Sequence, residues 1–101
     1  MIIYNVTTAV TWQVHDAWLQ WMRDTHIPEV MATQCFVRHQ WVRLLDADET
    51  DGPTYAVQYY APDLATLEQY THQHSGALRQ KVVDLWRDQC ISFRSVMELV
   101  S

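Results

Sequence analysis

Glycine and proline are scarce in this chain, with two and three occurrences in 101 residues. That excludes collagen-like and low-complexity polymers. With only Gly52 and Gly76 present, it also excludes a glycine-rich phosphate loop. Basic residues are few as well: seven Lys and Arg against twelve Asp and Glu, a formal net charge of −5. Nucleic-acid binding needs concentrated positive surface, so no nucleic-acid partner is expected. No apolar run approaches the roughly 18 residues of a membrane helix, so no membrane partner is expected either. The opening MIIYNVTTAV lacks the basic region and cleavage site of a secretion signal. Cys35 and Cys90 stand far apart and form no C-x-x-C. Reduced thiols and a cytoplasmic location are the expectation. His72 and His74 fall on different sides of a helix, and His15 and His26 lie too far apart along one to share an ion. Without H-x-x-x-H or G-x-S-x-G, neither a metal nor a cofactor is expected, nor a serine triad.

Aromatic residues are abundant by contrast: five tryptophans and five tyrosines in a chain that is 49% apolar. That is enough for one core, so residues 1–101 are read as one domain. Rings of this kind suit a core, an interface or a pocket wall.

Residues 2 to 10 read as a strand with apolar groups on both faces. Thr11 reads as the cap of a helix running to about residue 25, with Val14, Trp18, Trp21 and Met22 on one side. Pro28 cannot sit in a helix interior, so a corner at His26–Ile27 and a short second helix are expected. Residues 36 to 45 read as a second strand, and DADETDGP as a long hairpin tip. Residues 54 to 61 form a third strand. Asp63 caps the next helix, and Ser75-Gly76 breaks it before a helix bearing Leu78, Val82, Leu85 and Trp86. A last strand spans 91 to 100, with Ile91, Phe93, Met97 and Leu99 on one side and Arg94, Val96 and Glu98 on the other.

The order β-α-β-β-α-β with right-handed crossovers predicts an α+β, ferredoxin-like fold. Its four-stranded antiparallel sheet, in the order 4-1-3-2, carries both helices on one face. The other face is left bare and apolar, in a chain too short to cover it. The simplest cover is the same face of a second copy, so a homodimer through the sheet is expected.

The run from Trp18 through Trp21 and Met22 to His26-Ile27-Pro28-Glu29-Val30, ending in Cys35-Phe36, resembles an uncharacterised bacterial family, domain of unknown function 4286. MIIYNVT, GPTYAVQYYAP (Gly52 to Pro62), HSGALRQ (His74 to Gln80) and ISFRSVMELV (Ile91 to Val100) are similar to the same family, in order. The resemblance implies a dimeric α+β barrel. It implies no single reaction, because the wider superfamily holds cofactor-free monooxygenases, lyases, isomerases and stress-response proteins. One departure is Gln34, where the family usually carries a glycine able to take a left-handed conformation cheaply.

His26 is the leading candidate for acid/base chemistry, because an imidazole titrates near working pH. Glu29, three residues on, is placed to orient it. The structural alternative is a histidine that caps the corner. Asn5, Gln58 and Arg94 are polar residues within strands, and they make a ligand-orienting patch if their faces coincide. Two functional readings follow. In one, a small-molecule binder or cofactor-free enzyme uses His26, Asn5, Gln58 and Arg94 around a pocket between sheet and helices. In the other, a non-catalytic dimeric interaction or regulatory module uses them as packing and seam contacts. An enclosed void separates the first from the second.

Overall fold

A computed structural model describes residues 1–101. The chain forms β1 (Ile2–Val10), α1 (His15–Trp21), a π-helical turn (Met22–His26), α2 (Ile27–Ala32), β2 (Arg38–Arg43) and β3 (Thr54–Ala61). It continues through α3 (Leu64–Gln73), α4 (Ser75–Trp86), a short 3₁₀ turn and β4 (Cys90–Glu98). The strands lie in the order β2-β3-β1-β4, and every neighbouring pair is antiparallel. This is the predicted 4-1-3-2 sheet, read from the other edge, with the helices on one face. No helix is long and apolar enough to cross a membrane.

Alternation along β1 divides the sheet. Tyr4, Val6 and Thr8 face the helices, with Tyr55, Val57 and Tyr59 of β3 beside them. Trp18, only 2% exposed, packs over this layer with Met22, Ile27, Val30 and Leu78. Tyr4, Phe36, Tyr59 and Tyr70 form a contiguous aromatic cluster, with Phe36 and Tyr70 edge to face at 4.9 Å between centroids. Such pairs add about 0.5–1.5 kcal/mol each beyond the area they bury. The opposite face carries Ile91, Phe93 and Met97 of β4, and Phe93 is 67% exposed.

Several boundaries differ from the reading of the sequence. Thr11 does not cap α1: its hydroxyl donates to Gln89 Oε1 at 2.6 Å, tying the exit of β1 to the entry of β4. A turn over residues 11–14 precedes the helix instead. There is no corner at His26–Ile27. The helix continues through Pro28 because Met22–His26 widens into a π turn, in which the Ile27 N–H donates to Met22 O. Proline lacks an N–H and crowds the preceding turn; a widened turn accommodates both effects without breaking the rod. β2 is shorter than expected, and Phe36 precedes it as a buried side chain. Hydrogen bonds from Val37 N to Tyr60 O (2.8 Å) and Leu44 N to Thr54 O (2.9 Å) still flank the strand. The break between α3 and α4 falls at His74, and Ser75 and Gly76 belong to α4. Asp63 caps α3 as read: its Oδ1 accepts from Thr66 N at 2.8 Å and Thr66 Oγ1 at 2.7 Å.

Gln34 occupies the left-handed region, with φ 64°. The tight exit from α2 is therefore kept without glycine, at a cost of about 1–2 kcal/mol for an L-residue. Gln34→Gly relieves that strain and adds unfolded-state entropy, for a net gain of about 0.5–1 kcal/mol. Urea denaturation at fixed protein concentration checks it; a loss of stability would show that the Gln34 side chain contributes more than its backbone strain costs.

Candidate functional site

The helix-facing sides of β1, β3 and β4 and the inner faces of α1, the π turn and α4 leave a void of about 40 Å³ between them. One water needs about 10–15 Å³ by this measure, so the void has room for roughly three. Its wall is mainly aromatic, from Trp18, Trp21, Tyr55, Tyr59 and Tyr70. The polar groups at its edge are His26, Tyr4, Arg79, Arg94, Thr8 and Ser92.

The π turn places His26. Its ring stacks on Trp21 at 4.8 Å between centroids, with 21° between planes. Residues five apart differ by about 140° around a regular α-helix and do not meet; the wider turn brings them into line. Trp86 meets Trp21 edge to face at 5.7 Å. Glu29, read from the sequence as an orienter of His26, binds Lys81 of α4 at 2.5 Å and so fastens α2 to α4. His26 Nδ1 is buried without a hydrogen-bond partner. Burial pushes the imidazole down from its ordinary value to about 4, against the opposing pull of Glu29 and with a smaller contribution from Arg94. The ring is neutral at pH 7.

Tyr4 also lines the void, as part of the aromatic cluster. Its Oη accepts from Arg94 Nε at 3.1 Å and from Arg79 Nη2 at 3.3 Å. Two guanidinium groups, from β4 and α4, therefore converge on one neutral phenol oxygen. Tyr59 Oη, also on the wall, is buried without a partner, and burial pushes its phenol well above the ordinary value. On another side, His15 Nε2 lies 2.7 Å from Tyr55 Oη, and its Nδ1 lies 3.2 Å from Asp16 Oδ1.

The four residues singled out from the sequence separate into two groups. His26 and Arg94 both line the void. Asn5 and Gln58 are directly opposed across β1 and β3, and Ser95 and Gln40 continue their row on β4 and β2. Arg94 pairs with Val6, one residue out of step, so it faces the helices while Asn5 and Gln58 face the bare side. The patch of three does not form. Asn5 Nδ2 instead donates to Thr7 Oγ1 at 2.9 Å, and Gln58 Oε1 accepts from Tyr60 Oη at 3.2 Å. Arg79 was missed, although Arg79, Val82 and Trp86 share helical spacing on α4. Nowhere in the structure do three His, Cys, Asp or Glu side chains converge as a metal site would require.

The family model for DUF4286, a domain of unknown function, matches residues 1–100. The chain belongs to the DUF4286 family. No curated protein matches it. Solved structures share the fold of this DUF4286 protein at low identity. A protein of the ethyl tert-butyl ether D (EthD) family from Bacillus halodurans is 12% identical, with TM-score 0.71, over 98% of this chain and all of its own. SnoaB, a cofactor-independent oxygenase from Streptomyces nogalater, is 15% identical, with TM-score 0.70, over 99% of this chain and 94% of its own. A dimeric ferredoxin-like protein of unknown function from Jannaschia is 14% identical, with TM-score 0.56, over 98% of this chain and all of its own.

Proposed function

We propose that this DUF4286 protein is a homodimer that binds a small organic molecule in the void between sheet and helices. His26 is the ligand's proton acceptor or hydrogen-bond partner. The observation that carries the reading is a pair of orphaned atoms. His26 Nδ1 and Tyr59 Oη are both buried without partners, and both residues border the same void. A buried polar group left unpaired costs about 1–3 kcal/mol, so two beside one void favour an occupant that pairs with them. A filled core would have favoured the non-catalytic module. The neutral imidazole is a hydrogen-bonding group in the empty protein, and a negative charge brought beside it raises its basicity. Acid/base turnover without a cofactor is thus proposed only for a ligand that carries such a charge. The oxygenase SnoaB has the same fold and, by description, needs no cofactor.

The second copy covers the bare sheet face. Ile91 (59% exposed), Phe93 and Met97 offer the apolar contact, and Asn5 and Gln58 lie at its centre as seam residues. Dimeric ferredoxin-like proteins among the structural neighbours support this assembly. The two free thiols fit a reducing cytoplasm. The test is a fragment screen by ¹H–¹⁵N NMR, with light scattering on the same sample. Bound fragments shift His26 and Tyr59 resonances, and the mass is that of two chains. Fragments that map only elsewhere overturn the cavity; a monomer at micromolar concentration overturns the assembly.

A further inference from the structure

We infer that the ligand is a small aromatic carboxylic acid, bound as the anion between Arg79, Arg94 and Tyr4. The inference rests on the cavity reading above and specifies its ligand. It starts from the placement of charge. Acidic residues outnumber basic ones, twelve to seven. The ion pairs of Lys and Arg are Lys81–Glu29 and Arg43–Glu49, and neither reaches Arg79 or Arg94. Two cations with no carboxylate between them repel each other, yet here both point at one phenol oxygen from separate elements. Repulsion at this range is offset when an anion joins them.

The donor geometry fits the same ligand. Tyr4 Oη accepts two hydrogen bonds, which leaves its own O–H to donate. Each guanidinium uses one of its five N–H groups in these bonds. The remaining N–H groups and the phenol O–H give one end of the void an excess of donors. A carboxylate, which only accepts and takes bidentate contacts from arginine, is their complement. Its three heavy atoms fill a void with room for about three waters. The rest of the ligand enters only as the wall of Trp18, Trp21, Tyr55, Tyr59 and Tyr70 parts around it. An aromatic body suits that wall better than a polar chain. His26, which lines the same void, meets the substituents of such a ring.

The experiment titrates the protein with benzoate and salicylate, and with the neutral partners benzamide and benzyl alcohol, by calorimetry and ¹H–¹⁵N NMR. The expected result is about tenfold or tighter binding of the acids over their neutral partners. Their shifts centre on Tyr4, Arg79 and Arg94, and the preference is lost in the Arg79→Gln/Arg94→Gln double variant. Equal binding of acids and amides in the cavity overturns the ligand class and leaves the cavity reading standing. Acids bound as tightly by a folded double variant overturn the two arginines as the anchor. If no probe, acidic or neutral, enters the cavity, the cavity reading falls and this inference with it. Should the double variant not fold, the wild-type preference and its collapse in about 0.5 M NaCl decide the question, since salt screens an exposed ion contact and spares a neutral one.

Discussion

Gly52→Ala is expected to lose at least about 3 kcal/mol of stability, one of the largest effects of any single-methyl change in the chain. A Cβ built on Gly52 lies 1.8 Å from Val10 O, 2.8 Å from Val10 C and 2.9 Å from Thr11 Cα. These are backbone atoms, and they cannot rotate away as a side chain would. Nor can the loop retreat freely. Pro53 O accepts from Val10 N and Asp51 O from Trp12 N, each at 3.1 Å, so the residues on both sides of Gly52 are bonded to the end of β1. The indole Nε1 of Trp12 adds a third tie, to Glu49 O at 2.9 Å. Gly52 also has φ 156°, which side-chain-bearing residues rarely adopt. Gly76 is the internal control. A Cβ there meets nothing within 4 Å, and the residue is helical. Gly76→Ala is expected to gain about 0.5 kcal/mol from helix propensity. Urea midpoints at one protein concentration compare the two; a Gly52→Ala variant within about 1 kcal/mol of the parent would refute the close approach.

The second large effect is a pH dependence centred on His26. Its value is about 4 in the folded protein, against 6.5 when unperturbed. Between those values the unfolded chain holds a proton that the folded protein does not. Stability therefore rises with pH across this window, by about 1.4 kcal/mol per unit, and levels off above about 6.5. On acidification from pH 6.5 to 4, the buried imidazole accounts for a loss of about 3 kcal/mol. His26→Gln keeps a polar, uncharged side chain and should remove one proton from the slope. Exposed carboxylates with lowered values, such as Asp63 and Glu49, titrate in both proteins and cancel in the comparison. Chemical denaturation at several pH values between 4.5 and 7 gives the two slopes. Parallel slopes would show that His26 is solvated in the native state.

The sequence was most legible where a local rule acts alone. Asp63 announces α3 because a carboxylate one residue before an apolar stripe has an N–H to accept from. The two sides of β4 follow from strict alternation. What stayed hidden needed a second element to decide it. Alternation puts Asn5 on one parity of β1 and Arg94 on one parity of β4, but only the pairing of Val6 with Arg94 says that the two faces are opposite. Pro28 signals a disturbance, and a corner and a π turn answer that signal equally well at the level of single residues. Thr11 has a capping residue's chemistry, yet Gln89, far along the chain, takes its hydroxyl. Arg79 follows Leu78 of the helical stripe and carries no signal of its own; its role depends on Tyr4 from the first strand.

The π turn makes the direction of His26 a matter of counting as well as chemistry. Substitutions at Arg23, Asp24 or Thr25, all exposed, alter the surface of the turn and leave its winding intact. Removing any one of them takes out the surplus residue that the wide turn absorbs. The rod then closes to a regular α-helix in which Trp21 and His26 stand four apart, about 40° around the axis, so they still share a face and Glu29 still points toward Lys81. An added residue has no such outlet: unless the turn widens again, everything beyond it is wound on by about 100°. The segment thus tolerates spelling changes and the loss of its spare residue, and the cavity wall is registered to its angle.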